Sequence, residues 1–211
     1  MNEPHDVHQR PSALRTAGIR ERRADVQGLR LDEIEDPALV RVHSLEAPAD
    51  AGLAALALPG QVGQVAQLSG ENLTALCLAP GEWLLVGPAR ATSNRPPDLA
   101  ARLQRELASE LTAVCDQSDG LAAIRVSGRA APWLLGKLSC LDFARGTAAG
   151  PHCARTRMGD AAVIVHYHAG SGEEWVFDLY VDRSVAHWLW KLLTDSAPHA
   201  AELNEDFGVF A

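Results

Sequence analysis

Apolar positions recur in two different periods along this chain, and the switch between them outlines the elements. Leu39, Val42 and Leu45 are interleaved with Arg41 and His43 in a strand-like segment, and Pro48 to Leu58 reads as an alanine-rich helix closed by Pro59 and Gly60. Two short apolar runs, Thr74 to Ala79 and Glu82 to Val86, flank Pro80-Gly81 and predict a β-hairpin. After a Pro/Ser/Asn loop over 87–97, Asp98 is placed to cap a helix carrying Leu99, Leu103, Leu107 and Leu111 at every fourth position.

The second half follows a similar order. A strand over Leu121 to Val126 leads through Ser127-Gly128 to a helix entered by Pro132 and containing Trp133, Leu134 and Leu138. Cys153 to Met158, Ala162 to His168 and Trp175 to Val181 predict an antiparallel meander, and Asp182 or Ser184 opens a last helix to about Thr194. This rhythm favours antiparallel α+β layers over a doubly wound sheet. The expected organisation is an N-terminal arm (1–20), one α+β lobe (21–118), a similar second lobe (119–195) and an irregular tail (196–211).

Composition narrows the function classes. A chain of 211 residues with 47% hydrophobic and 22% charged residues is close to the globular average. Residues 1–30 hold six arginines against four acids, so the rest of this chain of net charge −8 is clearly acidic, which disfavours nucleic acid as a partner. Cys77, Cys115, Cys140 and Cys153 form no CxxC pair and are expected to be reduced thiols in apolar surroundings. No run approaches the roughly 18 apolar residues of a membrane span, and the first twenty residues resemble no signal peptide, so the expected compartment is the cytoplasm.

Candidate chemistry is sparse. His166 and His168 flank Tyr167 on a strand, so both imidazoles share a face, and His152 or Cys153 as a third ligand would complete a zinc triad. Nothing like HExxH accompanies them, and a solvated or hydrogen-bonded surface is the preferred reading, with no metal expected. Asp116 and Asp119 in the segment CDQSDG offer a paired carboxylate for acid and base work, or a grip on an amine or pterin, against the simpler reading of a turn. Ser127-Gly128-Arg129 lacks the glycines of a phosphate cradle, and no G-x-S-x-G elbow presents a nucleophile. No catalytic or cofactor-binding residue is therefore expected.

The last helix carries the most informative pattern. Val185, Trp188, Leu189 and Leu192 fill one stripe, whereas Trp190 points roughly 200° from Trp188 at about 100° per residue. Two apolar faces on one helix imply a central position or a partner surface, and tryptophan is a favoured interface anchor. Trp133, Trp188 and Trp190 are accordingly the candidate contacts.

Several segments together resemble the gamma subunit family of heterotetrameric sarcosine oxidase. They are Leu78-Ala79-Pro80-Gly81-Glu82-Trp83-Leu84-Leu85, similar to the family's L-x-P-x-E-W-L-L, and Asp116-Gln117-Ser118-Asp119, similar to its D-x-S segment. Val126-Ser127-Gly128-Arg129-Ala130, Leu141-Asp142, Cys153-Ala154-Arg155-Thr156 and Val181-Asp182-Arg183-Ser184 follow in order. The resemblance implies a fold like the folate-binding region of the glycine-cleavage aminomethyltransferase. It also implies a four-subunit complex that oxidatively demethylates sarcosine to glycine, linked to tetrahydrofolate. FAD, FMN, NAD and folate would lie on partner subunits, a zinc on the smallest, and this subunit would pack on the alpha subunit among alpha, beta and delta partners. The alternative is a stand-alone folate-binding or aminomethyltransferase-like protein; the KGCYxGQE-type segment of folate-binding repair relatives is missing here, and the chain is shorter than those relatives.

Overall fold

The computed structural model describes residues 12–19, 22–26, 28–45, 56–68, 72–89, 99–107, 109, 111–143, 150–168 and 175–207. Their order is α1 (Ala13–Thr16), β1 (Arg23–Val26), β2 (Leu29–Ile34), β3 (Pro37–Ser44), β4 (Val65–Leu68), β5 (Leu73–Ala79), β6 (Glu82–Ala89), α2 (Leu99–Glu106), β7 (Thr112–Asp116), β8 (Leu121–Gly128), α3 (Ala131–Leu138), β9 (His152–Met158), β10 (Ala161–His168), β11 (Val176–Asp182) and α4 (Ala186–Phe207), the last entered by a 3-10 turn at Arg183–Val185.

Two sheets stack face to face. One runs β4-β5-β6-β3-β7 and the other β1-β2-β8-β11-β10-β9, with every pairing between named strands antiparallel. The expected α+β class with antiparallel sheets and packed helices is what the chain adopts. Strand alternation sorts the side chains into three apolar layers. On β11, Phe177, Leu179 and Val181 face a core shared with α1, α3 and α4, while Tyr180 faces the other sheet. On β6, Trp83 and Leu85 pack with Leu99 and Leu103 of α2, while Leu84 joins Leu39, Leu76, Leu78, Ala123 and Ile164 in the layer between the sheets. Both sheets are thus covered on two faces, giving the helix–sheet–sheet–helix order of a layered domain.

The expected lobe boundaries need correcting. β1 and β2 fall inside the segment assigned to the first lobe, yet β2 pairs with β8 from Leu29↔Gly128 to Ile34↔Ala123 and so extends the second sheet. Gly128 makes this close approach possible: it has φ +111°, and a Cβ there would run into the Gly28 carbonyl. The tail is also not irregular, because α4 continues through Pro198 to Phe207 and buries Ala197 and Ala200. The arm contains α1, whose Leu14 is fully buried. The Leu99 helix ends at Glu106, and Leu111 is exposed just before β7. The Asp98 cap and residues 48–55 of the expected Pro48–Leu58 helix lie outside the described residues. Among the described residues, no helix is long and apolar enough to cross a membrane.

The segments that carry the family resemblance do structural jobs. Gly81, at φ +73°, turns the β5–β6 hairpin against the Ser44 carbonyl. Glu82 pairs with Arg41 of its own sheet (3.3 Å) and with Arg155 of the other. Burial would raise its carboxyl pKa, but the hydrogen bond and charge of Arg155, together with the charge of Arg41, outweigh that and leave it lowered. Trp83 is buried with its indole N–H donating to the Pro59 carbonyl (2.8 Å). Ser118 Oγ accepts from Leu39 N–H (3.0 Å) and donates to the Leu39 carbonyl (3.3 Å), tying the β7–β8 corner to β3. Asp182 accepts from Ser184 N–H (2.8 Å) and Ser184 Oγ (2.6 Å), which caps the entry to α4.

If the layer between the sheets holds the molecule together, Leu84→Ala should destabilise it by about 2–5 kcal/mol, the range for truncating a fully buried leucine. Urea unfolding measures this, and a loss below about 1 kcal/mol would show that the layer is not a tightly packed core.

Candidate functional site: a polar row between the sheets

Side chains facing the inter-sheet layer are apolar along much of its length and polar along one transverse row. Register sets Asp32 of β2, Arg125 of β8, Asp178 of β11, His166 of β10 and Cys153 of β9 side by side. Arg125 donates from Nε to Asp178 Oδ1 (2.7 Å) and from Nη2 to Oδ2 (2.8 Å), a two-pronged pair. His168, two residues from His166 and on the same face, places Nε2 2.7 Å from Asp178 Oδ2. The two imidazole rings lie 3.9 Å apart between centroids.

Burial and partners separate these groups electrostatically. Burial alone would raise the Asp178 pKa; the hydrogen bonds from Arg125 and then His168 outweigh it and hold the carboxyl down to about 2. His166 is 4% exposed, and burial, reinforced by neighbouring His168, pushes it down to about 3. It is therefore neutral at pH 7. Burial also drives the Tyr180 phenol well above its ordinary value. His166 Nδ1 and the Tyr180 hydroxyl have no hydrogen-bond partner among the described residues.

These groups line a cavity of about 270 Å³, whose other walls include Ile34, Pro37, Thr74, Val86 and Pro88. One donor atom each from His166, His168 and Asp178 lies within 4.8 Å of the others. The sequence pattern places the two histidines together, as the structure does, but not the third group. His152 sits on the opposite face of the sheet, against Tyr167 with the ring centroids 4.9 Å apart and the rings tilted at 47°. Cys153 shares the inter-sheet face, with its thiol donating to backbone carbonyls of Cys77 (3.4 Å) and Gln64 (3.6 Å). Burial, then nearby Cys77, pushes that thiol up to about 12. Asp178 was missed because VFDLYVD reads as an apolar strand, and its partner Arg125 lies 53 residues away.

The remaining candidates separate cleanly. Asp116 is exposed and accepts from Ser118 N–H at 2.9 Å, the turn reading. Cys77 and Cys153 are buried and unbridged, but Cys115 and Cys140 are exposed, contrary to the expectation of apolar surroundings for all four. Trp190 is 3% exposed and lies in the helix-covered core with Ala186, Leu189 and Leu193. It is therefore not a surface anchor, and the buried stripe has a different phase from the one expected. Trp188 is 38% exposed, and Trp133 is half-buried against the same core.

The sequence pattern of the family described as "Sarcosine oxidase, gamma subunit family" matches residues 43–199. The chain belongs to this family. It is 31% identical over 177 residues to a sarcosine oxidase subunit gamma of Corynebacterium sp. (strain P-1), a match covering 80% of this chain and 82% of that one. A sarcosine oxidase subunit gamma of Arthrobacter sp. is 32% identical over 158 residues, covering 71% and 73%. Among solved structures, a chain of the heterotetrameric sarcosine oxidase of Corynebacterium sp. U-96, in complex with pyrrole 2-carboxylate, shares the fold. That likeness has a TM-score of 0.68 at 24% identity over 88% of this chain and 95% of that one. The glycine cleavage system aminomethyltransferase T of Bartonella henselae shares it more distantly, with a TM-score of 0.54 at 16% identity over 81% of this chain and 48% of that one. The fold relationship implied by the gamma-subunit resemblance is thus observed.

The buried, neutral state of His166 has a consequence for acid stability. Between its ordinary value of 6.5 and about 3, an unfolded chain binds a proton at this position that the folded chain refuses, so stability falls with falling pH. The slope reaches about 1.4 kcal/mol per pH unit for one proton. Asp178 adds a loss of the same sign from about 3.8 down to about 2. Chemical denaturation in EDTA should show stability dropping from pH 7 to pH 4, less steeply in His166→Gln; equal slopes would mean that His166 titrates normally.

Proposed function

We propose that this chain acts as the gamma subunit of a four-subunit sarcosine oxidase, a complex that oxidatively demethylates sarcosine to glycine with a link to tetrahydrofolate. The carrying observation is the family match over residues 43–199, supported by curated gamma subunits that align over most of their length. Its role there is structural, packing on the alpha subunit, with beta and delta completing the assembly. The FAD, FMN, NAD and folate sites belong to the partner subunits, and the smallest holds a zinc. The complex is an oxidoreductase; this chain contributes no catalytic residue to that reaction, and its compartment is the cytoplasm.

What supports a structural role is the use made of the family-like segments. Gly81, Glu82, Trp83, Ser118, Gly128 and Asp182 each satisfy a turn, a core, a cap or an ion pair within the chain. Asp116 serves a turn, and the two buried thiols are held protonated. The exposed Trp188 is the anchor best placed for a partner, because tryptophan is enriched among residues that dominate interface energetics.

Co-expression with alpha, beta and delta subunits should yield a complex containing this chain in stoichiometric amount and consuming oxygen with sarcosine. Trp188→Ala should weaken assembly by about 2 kcal/mol or more if it is an anchor, whereas Trp190→Ala should instead lower the chain's own stability by about 3–5 kcal/mol. Failure to co-purify, together with saturable folate binding by this chain alone in calorimetry, would favour the aminomethyltransferase-like alternative.

A further inference from the structure

Two adjacent strands assemble a ligand set on one wall of the cavity between the sheets. His166 and His168 stand two apart on β10, and register puts Asp178 of β11 directly opposite His166. Their donor atoms lie within 4.8 Å of one another, and all three border the same cavity. Two imidazole nitrogens and a carboxylate oxygen are a donor set used for zinc and for other divalent first-row transition ions. Strands hold such ligands more firmly than loops do.

The ion-pair network explains Arg125, Asp178 and His168, but it leaves two polar atoms unexplained. His166 Nδ1 and the Tyr180 hydroxyl are buried and have no partner among the described residues, although both side chains border the cavity. His166 and Tyr180 are 4% and 1% exposed. Leaving such atoms unsatisfied is costly, so an occupant of the cavity would find two polar groups there that the network does not satisfy.

We propose that His166, His168 and Asp178 bind one divalent first-row transition ion, for which Zn²⁺ is the probe. On binding, the hydrogen bond between His168 Nε2 and Asp178 Oδ2, now 2.7 Å, gives way to one bond from each residue to the ion. Any proton held there leaves to solvent. Arg125 keeps its grip on the carboxylate and fixes its orientation as an outer partner, while its positive charge lowers the affinity. Three protein ligands leave a further position open toward the cavity for water or another small donor. This revises the expectation that the chain carries no metal. The third ligand is a cross-strand carboxylate; neither His152, on the opposite face, nor Cys153, whose thiol donates to the Cys77 and Gln64 carbonyls, belongs to the group.

The inference stands apart from the assembly proposal, since it concerns this chain's own side chains. The test strips the 211-residue chain with a chelator, with its co-expressed partners if they are needed for solubility, reloads it with Zn²⁺ or Co²⁺ and counts bound metal per chain. Wild type should hold one equivalent more than His168→Ala, a difference that cancels any zinc on a partner. Affinity should fall at least about 100-fold in that variant, beyond the usual effect of losing an outer-shell partner. The Co²⁺ form should show visible absorption from inner-sphere ligation that is absent in His168→Ala and retained in His199→Ala, a control on an exposed helix position. Equal metal content and equal spectra in wild type and His168→Ala would overturn the proposal. If His168→Ala does not fold, wild type alone decides: absence of both Co²⁺ bands and Zn²⁺-induced thermal stabilisation overturns it.

Discussion

Face-to-face contact between two antiparallel sheets is the constraint on which this molecule depends. Each sheet has helices or their connecting segments on its outer side, and a thin layer that includes Leu39, Leu76, Leu78, Leu84, Ala123, Cys153, Ile164 and Tyr180 joins the two. With both faces buried, strands such as β5 and β10 lose the polar alternation of a half-exposed sheet and become nearly continuous apolar runs. The layer has polar fastenings as well: Glu82 of β6 meets Arg155 of β9 across the gap. Ser118 holds β3 at the point where the chain passes from one sheet to the other.

A polar row inside such a layer must be internally matched, because removing one member of a buried ion pair strands the other. Asp178 is matched three times, twice by Arg125 and once by His168. Arg125 also has Asp32 beside it on β2. The row thus couples four strands of one sheet through side chains as well as through the ladder. It stands where the apolar filling gives way to the cavity, so the paired groups that stitch the sheet share that wall with two residues, His166 and Tyr180, whose buried polar atoms have no partner among the described residues.

The sequence was most readable where local chemistry decides the structure. Pro80-Gly81 announces the β5–β6 hairpin, and Asp182 with Ser184 announces the last helix. The phase of that helix was misread because Val185, taken as part of its apolar stripe, lies in the preceding 3-10 turn. The buried set begins instead at Ala186 and runs through Leu189, Trp190 and Leu193. The helix, expected to end near Thr194, instead continues through Pro198 to Phe207, because tertiary packing of Ala197 and Ala200 overrides local propensity. At the polar row, the H-x-H spacing is visible locally, but the completing carboxylate comes from pairing with another strand. No short window of sequence records such pairing.

The early strand β2 lies in the later sheet, and this reaches beyond static architecture. Leu29 finds its neighbour at Gly128, a separation of roughly a hundred positions, and long-range pairing of this kind slows folding. During synthesis the segment must wait for β8 to emerge, with Leu29 and Leu31 uncovered meanwhile. The two halves are consequently interleaved: dividing the gene near residue 118 would not release two autonomous modules, but two fragments each deprived of something the other carries.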